Sequence, residues 1–175
     1  MNEPYVDATD SNGSQLKLYI DEFITTMNGG TEIIGYQIQL DDGSNGAFYT
    51  VLGAIDNTLD TEVIVTSDIV KGKTYRARYR AINSIGPGPW SPIAYITAST
   101  VPKAPSLPIV TNVDHTKVVL SLSETTDDGG SSILSYHLFI NEGVDGSAYH
   151  AVTTYDGSSL TTTINVGTVY GTIPS

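Results

Sequence analysis

The chain has no cysteine among its 175 residues, so a disulfide framework and a cysteine-ligated zinc site are both excluded. Charge is scarce as well. Charged residues make up 15% of the sequence, against roughly a quarter in an ordinary globular domain. Basic charge is the scarcest kind, with eight Lys and Arg against nineteen Asp and Glu and a net charge of −11. A nucleic-acid partner needs a basic footprint, and an anionic membrane surface repels such a chain; the acidity reads as solubility and self-repulsion. No run approaches the ~18 apolar residues of a membrane span. Met1-Asn-Glu-Pro4 lacks the basic and apolar regions of a signal peptide, so none is expected in this stretch. No window carries apolar residues at helical spacing. What is present is Ser, Thr, Asn, Gly and Tyr, a mixture suited to β surfaces and turns.

The clearest pattern is Tyr75-Arg-Ala-Arg-Tyr-Arg-Ala-Ile-Asn83, where Tyr75, Ala77, Tyr79 and Ala81 alternate with Arg76, Arg78 and Arg80. Period-two alternation predicts a strand with one buried face. Gly86-Pro-Gly-Pro89 then predicts a turn, and Ile93–Ile96 the returning strand. Upstream, Glu3–Thr9 reads as an edge strand that tolerates Pro4. Leu16, Leu18 and Ile20 mark the second strand; Ile34, Tyr36, Ile38 and Leu40 the third; Phe48–Leu52 and Glu62–Thr66 the next two. Thr25–Gly30 and Asp41–Gly46 read as loop and turn. Seven short strands with regular turns predict an Ig-like sandwich by about Ala98.

The pattern then restarts. Gly29-Gly30, Tyr36, Gly43 and Tyr49 recur one hundred residues later as Gly129-Gly130, Tyr136, Gly143 and Tyr149. Val118, Leu120 and Leu122 repeat the second strand, Tyr136, Leu138 and Ile140 the third, and Thr162, Ile164 and Val166 the fifth. An internal repeat of one domain length indicates a tandem array. Residues 1–99 form the first expected domain and 105–175 the second, joined by a linker at 100–104 that two nearby prolines stiffen. At the same shift Val169 falls on Ile69 and Ser175 on Tyr75. The second copy is therefore expected to lack its last two strands, with one edge of its third strand and part of its core left open.

Tyr75…Ala81-x-Asn83, the Gly86…Trp90-Ser91-Pro92 loop and the repeat together resemble fibronectin type III domains. The resemblance covers residues 1–99 and most of 105–175 and implies an all-β fold of two tandem Ig-like sandwiches, the second without strands F and G. It implies that Tyr75 is the corner tyrosine, with Ile69 beneath it. Ile20 stands where many members carry Trp. It also implies that Trp90 packs on Arg76, Arg78 and Arg80 as layered rings and guanidinium groups, as the Trp-Ser of cytokine-receptor domains does. The Asn-Gly-Gly and Tyr-Asp-Gly-Ser-Ser-Leu phrasing is similar to repetitive protist surface proteins.

Catalytic readings fare badly. His115, His137 and His150 have no motif spacing and read as surface histidines, so no nucleophile–base pair is in view. Gly72-Lys73-Thr74 ends like a phosphate-binding loop, but it leads into a strand, and position 67 is Ser. Asp41-Asp42, Asp56/Asp60 and Asp127-Asp128 could hold calcium, yet none has loop-ligand spacing, and acidic turn residues are common for local reasons. No cofactor and no metal are expected. Asn12-Gly-Ser14 is an N-glycosylation sequon, and Thr153, Thr154, Ser158, Ser159 and Thr161–Thr163 could carry O-linked sugar. The arginines could dock an acidic glycan; the structural reading of the ladder is favoured. Phe139 is expected to face outward and, with Tyr5 and Val6, to offer interface.

The expected function is a non-catalytic structural module of an extracellular or cell-surface assembly. Two accounts of the open second copy stand: its last strands lie beyond Ser175, the simpler of the two, or a neighbouring copy supplies them by β-strand donation from Pro4–Thr9 or Val101–Val110, by which copies would self-associate into a fibre. The alternative is an accessory module that binds a glycan or protein ligand for a larger enzyme or receptor.

Overall fold

In the computed structural model, residues 2–7, 9–23, 28–141 and 143–165 are described, together with the backbone of 170–171. Thr25, Val166, Val169 and Ser175, which entered the sequence reading, lie outside them. The chain divides into two compact units, Met1–Val101 with Gly129–Ser131, and Pro102–Asp128 with Ser132–Ser175.

In the first unit the strands are β1 (Tyr5–Val6), β2 (Leu16–Tyr19), β3 (Ile33–Leu40), β4 (Tyr49–Leu52), β5 (Glu62–Val65), β6 (Thr74–Asn83), β7 (Gly86–Pro87) and β8 (Ala94–Thr97). One sheet has the order β1-β2-β5; the other runs β4-β3-β6, with β7 and β8 both paired to β6. All of these pairs are antiparallel. Each strand sends alternate side chains inward. Leu16 and Leu18 from one sheet meet Tyr36, Ile38, Leu40, Tyr75, Ala77, Tyr79, Ala81, Ala94 and Ile96 from the other in a single buried cluster. Leu16, Leu18, Ile38 and Leu40 are fully buried, and each such side chain contributes about 1.5–3 kcal/mol of transfer free energy.

Two local expectations need correction. Ile34 does not join Tyr36, Ile38 and Leu40 inside; it is 40% exposed. The β3–β6 register shifts between Ile33 and Gly35, and the extra residue of that bulge turns Ile34 outward. The turn after β6 falls at Ser84-Ile85, ahead of Gly86-Pro-Gly-Pro89, whose first two residues form β7. Asn83 explains the early reversal: its Oδ1 accepts from the N–H groups of Ile85 and Gly86 at 2.9 and 3.2 Å.

In the second unit the strands are β9 (Ile109–Val113), β10 (Lys117–Ser121), β11 (Phe139–Ile140), β12 (His150–Val152), β13 (Thr161–Asn165) and β14 (Tyr170–Gly171). Its sheets have the orders β13-β10-β9 and β11-β12-β14. The repeat reappears as bonding. Tyr36 N donates to Thr58 O at 2.8 Å and Tyr136 N to Gly157 O at 2.7 Å. The Tyr36 hydroxyl accepts from Phe23 N at 2.9 Å, and the Tyr136 hydroxyl from Thr125 N at 3.2 Å.

Packing differs between the units. Val152 and Ile164 are buried, Val118, Leu120 and Leu122 are half-buried, and β9 is exposed along its length. The expected third strand over Tyr136–Ile140 shortens to β11. In the first unit β3 is held on both sides, by β4 and β6. Among the described residues β11 pairs with β12 alone, and a strand held from one side keeps less of its ladder.

Candidate functional site

The outward residues of β3 and β6 share one sheet face because Gln39 lies opposite Arg78 and Gln37 opposite Arg80. On that face the guanidinium of Arg78 sits between two rings, 4.1 Å from the centroid of Phe48 and 4.3 Å from that of Trp90. Arg76 covers Phe48 at 4.9 Å and Arg80 covers Trp90 at 4.2 Å. The order is therefore Arg76, Phe48, Arg78, Trp90, Arg80, alternating cation and ring. Trp90 contacts two of the three arginines that the sequence assigned to it; Phe48 takes the place expected of Trp90 beside Arg76.

Hydrogen bonds fix each rung. Arg78 donates through Nε and Nη2 to Gln39 Oε1 at 3.1 and 2.8 Å, and Arg80 Nε donates to Gln37 Oε1 at 2.8 Å. Arg76 Nε donates to Asp41 Oδ2 at 2.8 Å and its Nη2 to Gly46 O at 2.6 Å. Trp90 is held through its neighbour: Ser91 N donates to Tyr79 O at 2.8 Å, and Ser91 Oγ accepts from Tyr79 N at 3.0 Å.

Asp41 is fully buried, and the local role that the sequence reading weighed against a cation for Asp41-Asp42 has named partners here. Its oxygens accept from the backbone and guanidinium of Arg76 and from Gly43 N at 3.0 Å. Burial alone would raise its pKa, but the Arg76 N–H, the guanidinium and the Gly43 N–H together hold it below the usual carboxylate range. Asp42 is spent on Ser44, whose N–H and hydroxyl it accepts at 3.0 and 2.6 Å. Arg78 is shifted downward as well, which for a guanidinium weakens the charged form. Burial, then the like charges of Arg80 and Arg76, lower its pKa.

Tyr75 is fully buried, and its hydroxyl donates to Asp68 O and accepts from Val70 N, both at 2.8 Å. That is the geometry of a tyrosine corner, with Ile69 packed against the core between the two bonded residues. Thr74 opens β6 directly after Gly72-Lys73, so no helix N-terminus is there to receive a phosphate. Asn12 Oδ1 accepts from Ser14 N, Ser14 Oγ and Gln15 N at 2.8, 2.9 and 3.1 Å, an Asx turn.

The interface residues separate. Tyr5 is 51% exposed and stacks on Tyr19 with ring centroids 5.6 Å apart. Val6 packs against the core, because its neighbour across the strand, Leu18, faces inward. Phe139 is half-buried, with the His137 ring 6.5 Å away; with β11 reduced to two residues, strict alternation does not carry it outward. Phe48, Gln37, Gln39 and Asp41 were not singled out from the sequence as ladder members. The glutamines had a signal, since they alternate with the inward Tyr36 and Ile38 on the strand expected beside β6.

Strand order, inter-sheet core and the bonded Tyr75 hydroxyl define an all-β sandwich of two antiparallel sheets. No protein-family model matches the chain. Among solved structures it is similar to the sixth fibronectin type III domain of human fibronectin type III domain containing protein 3, at 16% identity and a TM-score of 0.46, covering 61% of this chain and 89% of that one. It is similar also to module A71 of titin from human cardiac muscle, at 23% identity and a TM-score of 0.44, covering 55% and 88%. A third is the FN1-FN3 segment of chicken CNTN1, at 15% identity and a TM-score of 0.48, covering 94% of this chain and 55% of that one; the chain thus spans about half of that segment's length.

Proposed function

We propose that the chain is a non-catalytic structural module of an extracellular or cell-surface assembly, and that copies of it join by β-strand addition at the second unit. The observation that supports this reading is the edge of β11. It pairs with β12 only, among the described residues, beside the half-buried apolar side chains Leu122 and Leu138. An added strand satisfies edge amides and carbonyls while covering such side chains. Of the two donor segments read from the sequence, Pro4–Thr9 fits better. Its β1 has two residue pairs with β2 and would have to withdraw the buried Pro4 and the core-packed Val6, whereas Pro102, Pro105 and Pro108 strip ladder N–H groups from Val101–Val110. Donor and acceptor surfaces differ, so repeated addition builds a chain rather than a closed pair.

Sedimentation velocity over a range of concentrations tests this. The 175-residue chain is expected to form larger species as concentration rises, and the same chain without residues 1–8 to stay monomeric. A monomer at every concentration overturns strand addition. On a eukaryotic surface Asn12 would carry an N-glycan. Intact mass of secreted native protein before and after deglycosylation reads this directly, and a bare Asn12 rejects it.

A further inference from the structure

The ladder leaves part of its charge unspent. Arg76 is matched by Asp41, but among the described residues no carboxylate is paired with Arg78 or Arg80, whose bonded partners are the neutral amides Gln39 and Gln37. Among the described residues Arg80 has no partner for either Nη nitrogen, and Arg78 none for Nη1. Two neighbouring outward cations on β6, both stacked on Trp90, therefore sit on one face of a chain that carries −11 overall, and like charges at that spacing repel one another. An anion bridging them removes that repulsion and takes up the open donors. The same face carries Thr50, which the Gln37 and Gln39 amides approach at 3.4 and 3.3 Å. It also carries Tyr95, opposite Arg76 on β8 and 70% exposed.

We propose that this outer face is a binding site for an acidic glycan, with Arg78 and Arg80 holding its carboxylate or sulfate groups. The chemistry of the face favours a saccharide over a peptide. An extended peptide adds to a sheet through main-chain bonds at an edge, and the middle of a sheet face offers none. What it offers are guanidinium forks for the anion, amides and a hydroxyl for sugar hydroxyls, and one open ring. Trp90 has both faces taken by Arg78 and Arg80, so Tyr95 is the ring a sugar can stack on. From Arg76 to Arg80 the strand spans about 13 Å, room for a short oligosaccharide. This site is independent of the second-unit edge, so either proposal can fail alone.

The test is calorimetric titration of the whole chain with four probes: a heparin-derived oligosaccharide (sulfate and carboxylate), an oligogalacturonate (carboxylate only), a neutral oligosaccharide of equal length and a polyglutamate peptide of equal charge. Binding of either charged saccharide, with weaker binding of the other two probes, is expected, and the two charged probes identify the anion. Arg80→Gln should weaken binding by about tenfold or more, and Arg80→Lys by less, since it keeps the charge and loses the fork. Lys103→Gln, on the other unit, should bind as the parent does. If Arg80→Gln loses its thermal transition, Arg80→Lys and Tyr95→Ala carry the test, and both should bind more weakly. The proposal is overturned if neither charged saccharide binds at low ionic strength. It is equally overturned if polyglutamate binds as tightly, or if the Arg80 variants bind like the parent.

Discussion

Tyr75 shows how a single hydroxyl fixes a loop. Its ring fills the core, and its oxygen joins Asp68 O and Val70 N across the turn that enters β6. Tyr75→Phe keeps the ring and strands both backbone groups, so a loss of about 1–3 kcal/mol is expected in chemical denaturation. In the sequence, alternation marked Tyr75 as inward, and the resemblance to fibronectin type III domains implied the corner role; the bonds to Asp68 and Val70 are seen in the structure alone. Asp41 was not legible. Its partner Arg76 lies 35 residues away, and only the β3–β6 register brings the two together. Another carboxylate, Asp156, gives a pH prediction. The Ser159 hydroxyl, then the Ser159 and Ser158 N–H groups, lower its pKa from 3.8 to about 2. The folded turn therefore holds the acidic proton less tightly than the unfolded chain does. Its contribution is complete above pH 3.8 and is lost as the pH falls toward 2. NMR titration of the Asp156 carboxyl carbon should give a midpoint near the lower value; a midpoint at the ordinary value removes the turn bonds from the account.

At the scale of elements, the ladder ties β3, β4, β6 and the segment before β8 into one sheet face. Trp90→Ala removes the ring between Arg78 and Arg80, and a loss of about 1–2 kcal/mol is expected from stacking and area. Truncating Arg78, which touches two rings, should cost more than truncating Arg80, which touches one. Thermal midpoints of the three variants check this, and an unchanged midpoint for Trp90→Ala counts against the ladder as a stabilising feature. The alternation of β6 was plain in the sequence, and its inward and outward sets are those observed. Phe48 was hidden because it precedes β4 and reaches the arginines from a loop, which no periodicity marks. Ile34 failed for the complementary reason. Period-two reading assumes an unbroken register, and the β3–β6 bulge breaks it.

For the whole molecule, the sequence carried the repeat, and the structure shows that repetition of pattern does not bring equal packing. The first unit closes its sheets over one contiguous cluster that includes Leu16, Ile38, Tyr75 and Ile96. In the second, Val152 and Ile164 are the buried hydrophobic side chains among the described residues, while β10, which shares the pattern of β2, stays half-buried along its length. Protection from hydrogen exchange follows buried contacts and ladder bonds that water cannot reach. The amides of β3 and β6 should therefore exchange slowest, through global opening of the first unit. Those of β10 and β13 should exchange orders of magnitude faster in the dilute, unassembled chain. Raising the concentration separates intrinsic stability from assembly. If copies add strands at β11, protection should rise with concentration in β11 and β12 and stay constant in β3 and β6, because binding stabilises only the unit that binds. Uniform slow exchange across both units at low concentration would mean that the second sandwich is stable without a partner, and the structural role would then have to rest on the first unit's surfaces.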